Sequence, residues 1–558
     1  MLVLPPPAGD DALALARELS LTRTAGAVLA ARGMLDAAGS RRFLDPKLAH
    51  LTPPDAMKDR VEAVDRIARA VRAKERVCIF GDYDADGVTA AALLTDVLRA
   101  LGGEVVTLLA NRFDGGYGLS GAAVTRVLET RATLLVTCDC GSSDHDRLER
   151  VRQAGVDAVV IDHHRVPDAP LPAVAFLNPH RPECGFAYKG LASVGLALSI
   201  AAGVRAALGA ELDLRRWLDL VAIGTIGDVA PLDGDNRPLV RAGLARLGPT
   251  GRPGTRALAL IAGCSAATPT GEDVSFRFAP RINAPGRLDK PDLALELLLA
   301  ADDDEARRIA ASVEEHCTRR KEVERGVVAE ALAMLADPAM DAMPCIVLAK
   351  QGWHPGVVGI VAGRLASRFG KPTVVVALDG ASGRGSARCP AGFSVYDALA
   401  RSRDDLLGFG GHHAAAGVEI AADRVDAFRD RFADACTTIG VPARAAAPDA
   451  DALLEPGDHP ARVVHDLALF EPCGHSNPAP RVGVHDARVL GVRELRGGHL
   501  RLWVEVGGFS LSCFGAEMAH LAQPGILGKR ARLVGALRRD TWTGGGAVEM
   551  RLLAAEPG

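Results

Sequence analysis

The chain is predicted to be an α/β protein: two α/β units joined by a long helix, followed by a small β-barrel. Three observations carry this prediction. Short apolar runs alternate with helical patterns over residues 56–240 and again over 339–441, the rhythm of parallel β-α-β units. A charged pattern with apolar residues at four-residue steps fills 302–336, between the two. After about 452 the pattern changes to short strands separated by Gly-rich turns.

In order along the chain, residues 1–55 read as mostly helical and end in Asp45-Pro46 and Thr52-Pro53-Pro54, an N-terminal cap. In the first α/β unit, Arg76–Phe80, Val105–Leu109, Thr133–Thr137 and Ala158–Ile161 are the expected strands. Residues 241–338 form a helical region. Its last part, 302–336, places Ile309, Val313, Cys317, Val323 and Val327 in register and stops at Asp337-Pro338. The second unit has strands at Cys345–Leu348 and Thr373–Ala377 with a helix at Val357–Phe369. The Ala/Pro/Asp stretch 442–451 reads as a linker. The last region, 452–558, has strands at Leu500–Val506, Phe509–Cys513, Arg530–Leu537 and Val548–Leu553.

With 558 residues the chain exceeds what one core supports, and three or four domains are expected. There is no apolar run of about 18 residues of the kind that spans a membrane. Met1 to Pro7 lacks a basic start and a long apolar run, so a signal peptide is not expected. Eleven cysteines without zinc-type pairs suit reduced thiols and a cytoplasmic location. A net charge of −4 excludes a polycation, so contact with nucleic acid must come from local basic surfaces.

The chemistry is concentrated in Gly81-Asp82-Tyr83-Asp84-Ala85-Asp86-Gly87, directly after the apolar run Val77 to Phe80. Carboxylates at every second position repel one another and raise each other's pKa. A divalent cation is the usual remedy. A calcium loop also begins Asp-x-Asp-x-Asp-Gly, but it requires a Glu at the twelfth position, where Leu93 stands, and it follows a helix rather than a strand. Here Thr89 to Leu98 reads as a helix after the loop, which puts the acids at a strand exit. Asp139, Asp162-His163-His164 and Asp228 each close a further apolar run read as a strand, so all would converge on one rim. Singly, Asp139 reads equally as a turn former, Asp228 as a helix cap and His163-His164 as an exposed pair. Together they point to a metal site, and the mixture of carboxylate and imidazole suits Mn²⁺ or Mg²⁺ better than Zn²⁺.

These motifs resemble those of the DHH phosphoesterase superfamily. Within it, Asn111-Arg112-Phe113, Gly116-Tyr117-Gly118-Leu119, Pro280-Arg281-Ile282-Asn283-Ala284 and Gly286-Arg287-Leu288 resemble the RecJ family of single-strand-specific DNA exonucleases. So do His354-Pro355-Gly356-Val357-Val358-Gly359-Ile360, Gly410-Gly411-His412 and Ala415-Ala416-Gly417. The likeness runs from about residue 40 to the C-terminus. It departs at Gly115, Cys389 and the segment Glu471-Pro472-Cys473-Gly474-His475-Ser476-Asn477-Pro478, none of them a metal position.

The resemblance implies a DHH unit, a DHHA1-like unit and an OB-like barrel. It implies a metal-dependent enzyme that degrades single-stranded DNA 5′→3′ to nucleoside 5′-monophosphates in repair and recombination. Hydrolysis of this kind uses two Mn²⁺ or Mg²⁺ ions. Asp84, Asp86, Asp139, His163 and Asp228 are the expected ligands, and Asp82 and His164 are either further ligands or groups that orient them. Arg112, Arg281, Arg287, Arg384 and Arg388, with Asn283, are the expected phosphate contacts, some of them gripping the 5′ end; ordinary salt bridges are the alternative for each arginine. His354 and His412 would face the metal site. On the barrel, Lys529, Arg530, Arg532, Trp503 and Trp542 combine cations with stacking surfaces, as oligonucleotide-binding barrels do. Core packing of the aromatics is the alternative there. Single-stranded DNA is the expected partner of a monomer, joined by single-strand-binding protein and a helicase. The competing readings are a DHH-family phosphodiesterase on short oligonucleotides or cyclic dinucleotides, a pyrophosphatase, and an inactive DNA-binding scaffold.

Overall fold

A computed structural model describes the chain except for residues 1, 114–115, 167, 249–250, 265–268, 289–290, 337–342, 441–449, 523–524, 541–546 and 558. Gly115, Asp337-Pro338, Trp542 and most of the 442–451 stretch therefore lie outside the described residues.

The first sheet contains β1 (Arg76–Gly81), β2 (Glu104–Leu109), β3 (Leu134–Cys138), β4 (Asp157–Ile161) and β5 (Ala175–Leu177), all parallel, in the order β2-β1-β3-β4-β5. β1, β3 and β4 are continuous runs of buried apolar residues because helices cover both faces of the sheet. The chain leaves β1 toward one side and β3 toward the other. The crevice at their C-terminal ends is the topological switch point where ligands bind in such sheets. The three-residue β5 is too short to leave a readable pattern in the sequence.

Helix Asp303–Met334 follows, its buried line running through Ile309, Val313, Cys317 and Val327. The second sheet is mixed: β6 (Ile346–Gln351) pairs parallel with β7 (Thr373–Asp379). The antiparallel β8 (Ser382–Arg388), β10 (Ala415–Ala421) and β9 (Gly408–Gly411) complete it. β8 and β9 had no signal in the sequence, whereas β10 alternates inward Ala416, Val418 and Ile420 with outward Gly417 and Glu419. Ser-Gly-Arg-Gly-Ser and Gly-Phe-Gly-Gly carry no apolar alternation, and only cross-strand pairing makes them strands.

The third sheet holds β11 (Ala452–Leu453), β12 (Val482–Leu495), β13 (His499–Val506), β14 (Phe509–Gly515), β15 (Arg530–Arg539) and β16 (Val548–Pro557). Pairing of β12 with β15 closes the barrel. The N-terminal helices Asp10–Leu19, Arg23–Ala31 and Ala37–Leu44 do not cap the first sheet. Leu15, Val28, Leu29 and Leu44 share a core with Val482, Leu502 and Leu533 of the barrel. Thr22 N–H donates to Asp466 (2.7 Å) and Thr24 to Asp458 (2.8 Å), so the two ends of the chain form one body.

That body docks on the first α/β unit through Arg237, which is almost fully buried. Its guanidinium lies over the Phe43 ring (3.8 Å to the centroid) and donates to the carbonyls of Phe43, Phe470, Glu471 and Pro472. Asn477 also donates to the carbonyls of Phe470 and Pro472 and Arg241 to that of Glu471, so removing Arg237 costs these three a charged bond rather than their last partner, and the total loss is about 1–3 kcal/mol. Arg237→Leu is expected to lower the thermal midpoint by several degrees, read by scanning calorimetry; an unchanged midpoint would mean the barrel is held elsewhere.

Candidate metal centre and its cleft

Asp82 leaves β1 into a turn pressed hard against the next helix. A Cβ on Gly87 would lie 2.6 Å from both the backbone N and O of Asp82, so only glycine fits there. Asp84 caps helix Ala85–Ala100, one oxygen accepting from the N–H groups of Asp86 (3.0 Å) and Gly87 (3.1 Å). Asp86, in the first turn, receives the N–H groups of Ser193 (2.7 Å) and Val194 (2.9 Å) from the start of helix Ser193–Ala207. Two helix N-termini thus share the Asp86 carboxylate.

Asp139 follows β3 in the left-handed conformation (φ 64°), and its Oδ1 accepts from the Ser193 hydroxyl (3.0 Å). Asp162 follows β4, and its oxygens are already engaged: by the N–H groups of His163 (2.8 Å), His164 (3.2 Å) and Ser142 (3.0 Å), and by His164 Nδ1 (2.8 Å). Its role is to orient His164. Asp228 does not close a strand, as the apolar run before it suggested. Val221 to Ile226 belong to helix Leu218–Gly227, and Asp228 stands at its C-terminal end. A short apolar run with buried surroundings reads the same as a strand or a helix.

The acids and imidazoles converge. Ligand atoms within 4.8 Å of one another occur in three sets: Asp82, Asp84 and Asp139; Asp86, His163 and Asp228; and Asp139, His163 and His164. His163 Nε2 lies 3.3 Å from Asp139, 3.6 Å from Asp228 and 3.9 Å from Asp86. Asp139 Oδ2 and His163 Nε2 are buried without a hydrogen-bond partner, which is unusual for such groups unless something else is bound.

Electrostatics agree. Burial, with Asp84 beside it, pushes Asp86 up to about 7, and burial with Asp86 and Asp84 pushes Asp228 up to about 9. Asp82 and Asp139 are held well above the usual carboxylate range, by burial first and then by neighbouring aspartates. Burial pushes His163 down to about 4, with charged His164 adding to the effect. His164 goes the other way: burial opposes it, but the hydrogen bond and charge of Asp162 raise it to about 9. Without a cation the cluster keeps protons; a hard divalent cation held by carboxylate oxygens and one imidazole would replace them.

A cleft of about 390 Å³ lies between the units, lined by Tyr83, Arg112, Phe113 and Tyr117 on one side and by Pro355, Arg384, Ser386 and Phe409 on the other. Arg112 stacks over Tyr83 (4.4 Å), with its Nε buried and unpartnered. Arg287 donates to Gly356 O (3.2 Å). Burial and then nearby Arg112 push Arg287 down to about 10, and push Arg388 below the usual arginine range. Guanidinium groups crowded this way call for an anion. Arg384 pairs with Glu419 (3.1 Å) at the rim. His412 stacks on His164 (5.9 Å, 18°), and His354 meets Phe113 edge-on (5.8 Å). Asn283 Oδ1 is buried without a partner.

Arg281 is not a phosphate contact in this arrangement. It is buried, doubly bonded to Glu314 (2.6 and 3.0 Å), and also donates to the carbonyls of Arg277 and Ile261. With four of its donors used, no phosphate can reach it. On the barrel, Trp503 lies across Gly491, while Lys529, Arg530 and Arg532 also project outward; Arg530 pairs with Asp486. Sequence reasoning missed Ser193, which touches two of the acids, and Ser386, which faces the same glycine (Gly359) as Arg388. Ser193 was detectable only as a serine at the start of an apolar helical run.

Three family models match: the DHH family, N-terminal domain, over residues 76–225; the DHHA1 domain over 342–438; and the RecJ OB domain over 450–554. The single-stranded-DNA-specific exonuclease RecJ of Bacillus subtilis is 34% identical over 542 residues, 96% of this chain and 68% of its own. The chain belongs to the RecJ family. The crystal structure of Thermus thermophilus RecJ in complex with Mn²⁺ matches 100% of this chain and 78% of that one, with a TM-score of 0.83 at 32% identity. The same protein in complex with Mg²⁺ gives a TM-score of 0.78 at 30% identity over 100% of this chain and 77% of that one. RecJ membership accounts for the order of the two α/β units and the barrel along the chain.

The titrations predict a pH signature. Asp86, Asp228 and His164 all have folded pKa values raised above their unfolded ones. Each therefore contributes stability that is full at low pH and is lost as pH rises through the folded value. In EDTA the thermal midpoint should fall from about pH 6.5 to 9, and Mn²⁺ should raise it more at the upper end, where no protons compete. A midpoint that stays flat or rises over this window in EDTA would contradict the electrostatic account.

Proposed function

We propose that the chain is a metal-dependent exonuclease that degrades single-stranded DNA 5′→3′ to nucleoside 5′-monophosphates, in DNA repair and recombination. The observation that carries this reading is the pairing of two opposite sites in one cleft: an acidic centre whose ligand sets share Asp139 and His163, and a crowd of arginines across from it. Two Mn²⁺ or Mg²⁺ ions supply the Lewis-acid charge and the activation of water that phosphodiester hydrolysis needs.

Asp82, Asp84, Asp86, Asp139, His163 and Asp228 hold these ions. Ser193 and Asp162 keep Asp139 and His164 in place. His164, made cationic by Asp162, and His412 stacked on it lie where a scissile phosphate would carry its charge. Together with His354 they neutralise that phosphate. Arg112, Arg287 and Arg388, with Ser386, grip the 5′-terminal phosphate, which sets the polarity. Asn283 offers its free oxygen to the strand, and Arg384 steers the strand at the rim. A narrow cleft between two packed units admits one strand and excludes a duplex.

Residues 56–240 form the catalytic unit, 241–338 the helical connection, 339–441 the phosphate-gripping unit and 452–558 the strand-binding barrel, backed by 1–55. The barrel, with Trp503 and its outward cations, favours long strands over the dinucleotides of the short-substrate reading. The enzyme acts as a monomer in the cytoplasm, receiving its strand from a helicase and single-strand-binding protein.

The test is digestion of one single-stranded DNA labelled at either end, with Mn²⁺, Mg²⁺ or EDTA, beside Asp139→Ala and a 5′-blocked strand. Release of mononucleotides from the 5′ end only with metal, at least about a hundredfold weaker in the variant, is expected. Intact long DNA with cleaved dinucleotides would instead establish the short-substrate phosphodiesterase.

A further inference from the structure

β2 stands at the outer edge of the first sheet, paired with β1 on one side and with no described strand on the other. Proteins usually protect such an edge with a charge, a proline, a bulge or a covering element, because its unpaired backbone groups invite another strand. From Val105 to Leu109 there is no charge and no proline, and the register with β1 is unbroken. Val105, Val106, Thr107 and Leu108 stay half-buried, whereas β1, β3 and β4 are almost wholly buried.

Backbone direction identifies the free groups. Successive residues of a strand turn their N–H and C=O groups to alternate sides. The Ala110 N–H donates to Gly81 O of β1 (2.8 Å), so Val106 and Leu108 also face β1, and Val105, Thr107 and Leu109 face outward. The arginines agree: Arg99 donates to Val105 O (3.3 Å) and Arg126 to Leu109 O (3.1 Å), one guanidinium at each end of the edge. Between them the Val105 N–H and both backbone groups of Thr107 are bonded to nothing among the described residues. Beside this window a groove of about 430 Å³ runs between β2 and helix Asp292–Leu299, walled by Val105, Thr107, Leu295, Leu299 and Ala300. The Thr107 hydroxyl meets Thr95 (2.7 Å) on that side.

We propose that β2 is a docking edge for an extended segment of a partner protein, which adds to the five-stranded sheet as an antiparallel strand. A residue opposite Thr107 in that direction exchanges both backbone bonds with it. Its side chain and those two residues away fall on the groove side, so they are apolar. The ends of the segment are acidic, because Arg99 and Arg126 each hold only a neutral carbonyl and neither pairs with a carboxylate among the described residues. A second copy of this chain fits less well. Self-pairing about Thr107 sets Val105 against Leu109 of the other copy, which brings Arg99 of one beside Arg126 of the other at both ends.

The probe is a labelled peptide, Asp-Val-Thr-Val-Thr-Val-Asp, with one control carrying Lys for both Asp and another N-methylated at the central Val. Binding to the full chain is followed by fluorescence anisotropy, and exchange of the β2 amides by mass spectrometry. Saturable binding with slower exchange at Val105 and Thr107 is expected. N-methylation should weaken it about 2- to 10-fold. Arg99→Glu should weaken the acidic peptide about 2- to 5-fold and favour the Lys peptide instead. Thr107→Pro removes an outward N–H and no bond to β1, and should abolish binding; should it fail to fold, the N-methylated peptide and Arg99→Glu decide alone. No saturable binding at millimolar peptide, or equal binding of the N-methylated peptide, would overturn the proposal. So would a doubled mass in light scattering with β2 protected in the absence of peptide, which would make a second copy the occupant. DNA cleavage has no part in these readouts, so they hold whether or not the exonuclease reading does.

Discussion

Everything at the catalytic rim depends on holding several carboxylates together out of water. Burying one ionised carboxylate is costly, and burying a second beside it is worse, because each raises the pKa of the other. The chain offsets part of this cost before any cation binds. Asp84 and Asp86 take N–H groups from two helix N-termini, Asp139 takes a hydroxyl, and Asp162 takes a charged imidazole. These bonds leave specific atoms unused, among them Asp139 Oδ2 and His163 Nε2. Those atoms define where positive charge belongs. The glycines serve the same end. A Cβ at Gly224 would lie 2.2 Å from the Thr89 hydroxyl and one at Gly227 would lie 2.6 Å from Ala85 Cβ. Such close approach brings the helix that ends in Asp228 down onto the helix that starts at Asp84.

The acidic centre belongs to the first α/β unit and much of the cationic side to the second, so the site exists only while the two are held in one relation. The connecting helix Asp303–Met334 holds them. At one end Glu314 takes the Arg281 guanidinium and so fixes the helix carrying Asn283 and Arg287. Further along, Glu324, almost fully buried, is shared by Arg320 and by Arg364 (2.7 Å) of the helix that follows His354. Buried ion pairs contribute little net stability but penalise any arrangement that separates them, and registry is their best-attested use. Arg281 thus serves to fix the helix carrying Asn283 and Arg287.

What could be read from the sequence follows from how local each signal is. The triple-aspartate turn needs only seven consecutive residues, and the strand before it and helix after it are continuous apolar runs. Asp139 and Asp162 repeat that pattern. Asp228 was legible as a ligand but not as the end of a helix, because Val221 to Ile226 are buried on all sides and lose the periodicity that separates helix from strand. β8 and β9 have glycine where a strand would show alternation, so pairing across the sheet decides them. The placement of residues 1–55 on the barrel was invisible for a different reason. Nothing in three short amphipathic helices records whether the apolar surface they cover lies next in sequence or 400 residues away. The same holds for Arg281: its loop context suggested a phosphate, and only the position of Glu314 reveals a salt bridge.

The attachment of the barrel bears on how a long strand is handled. Arg237 links the barrel body to the catalytic unit through the carbonyls of residues 470–472, and Arg551 adds a second link at Glu272. The Arg551 pair is exposed and weak, but Arg241 and the Leu232 N–H also bond to residues 469–475, so several contacts together place the barrel's outer surface relative to the acidic centre. A strand bound at the barrel is then presented to the centre at an effective concentration set by that distance rather than by its concentration in solution. Each cut removes only the terminal nucleotide, and the contacts along the remaining strand are renewed one step further on without sequence-specific bonds to break. Rigid spacing of a nonspecific grip from a polar, end-reading site is what repeated cleavage of one strand demands.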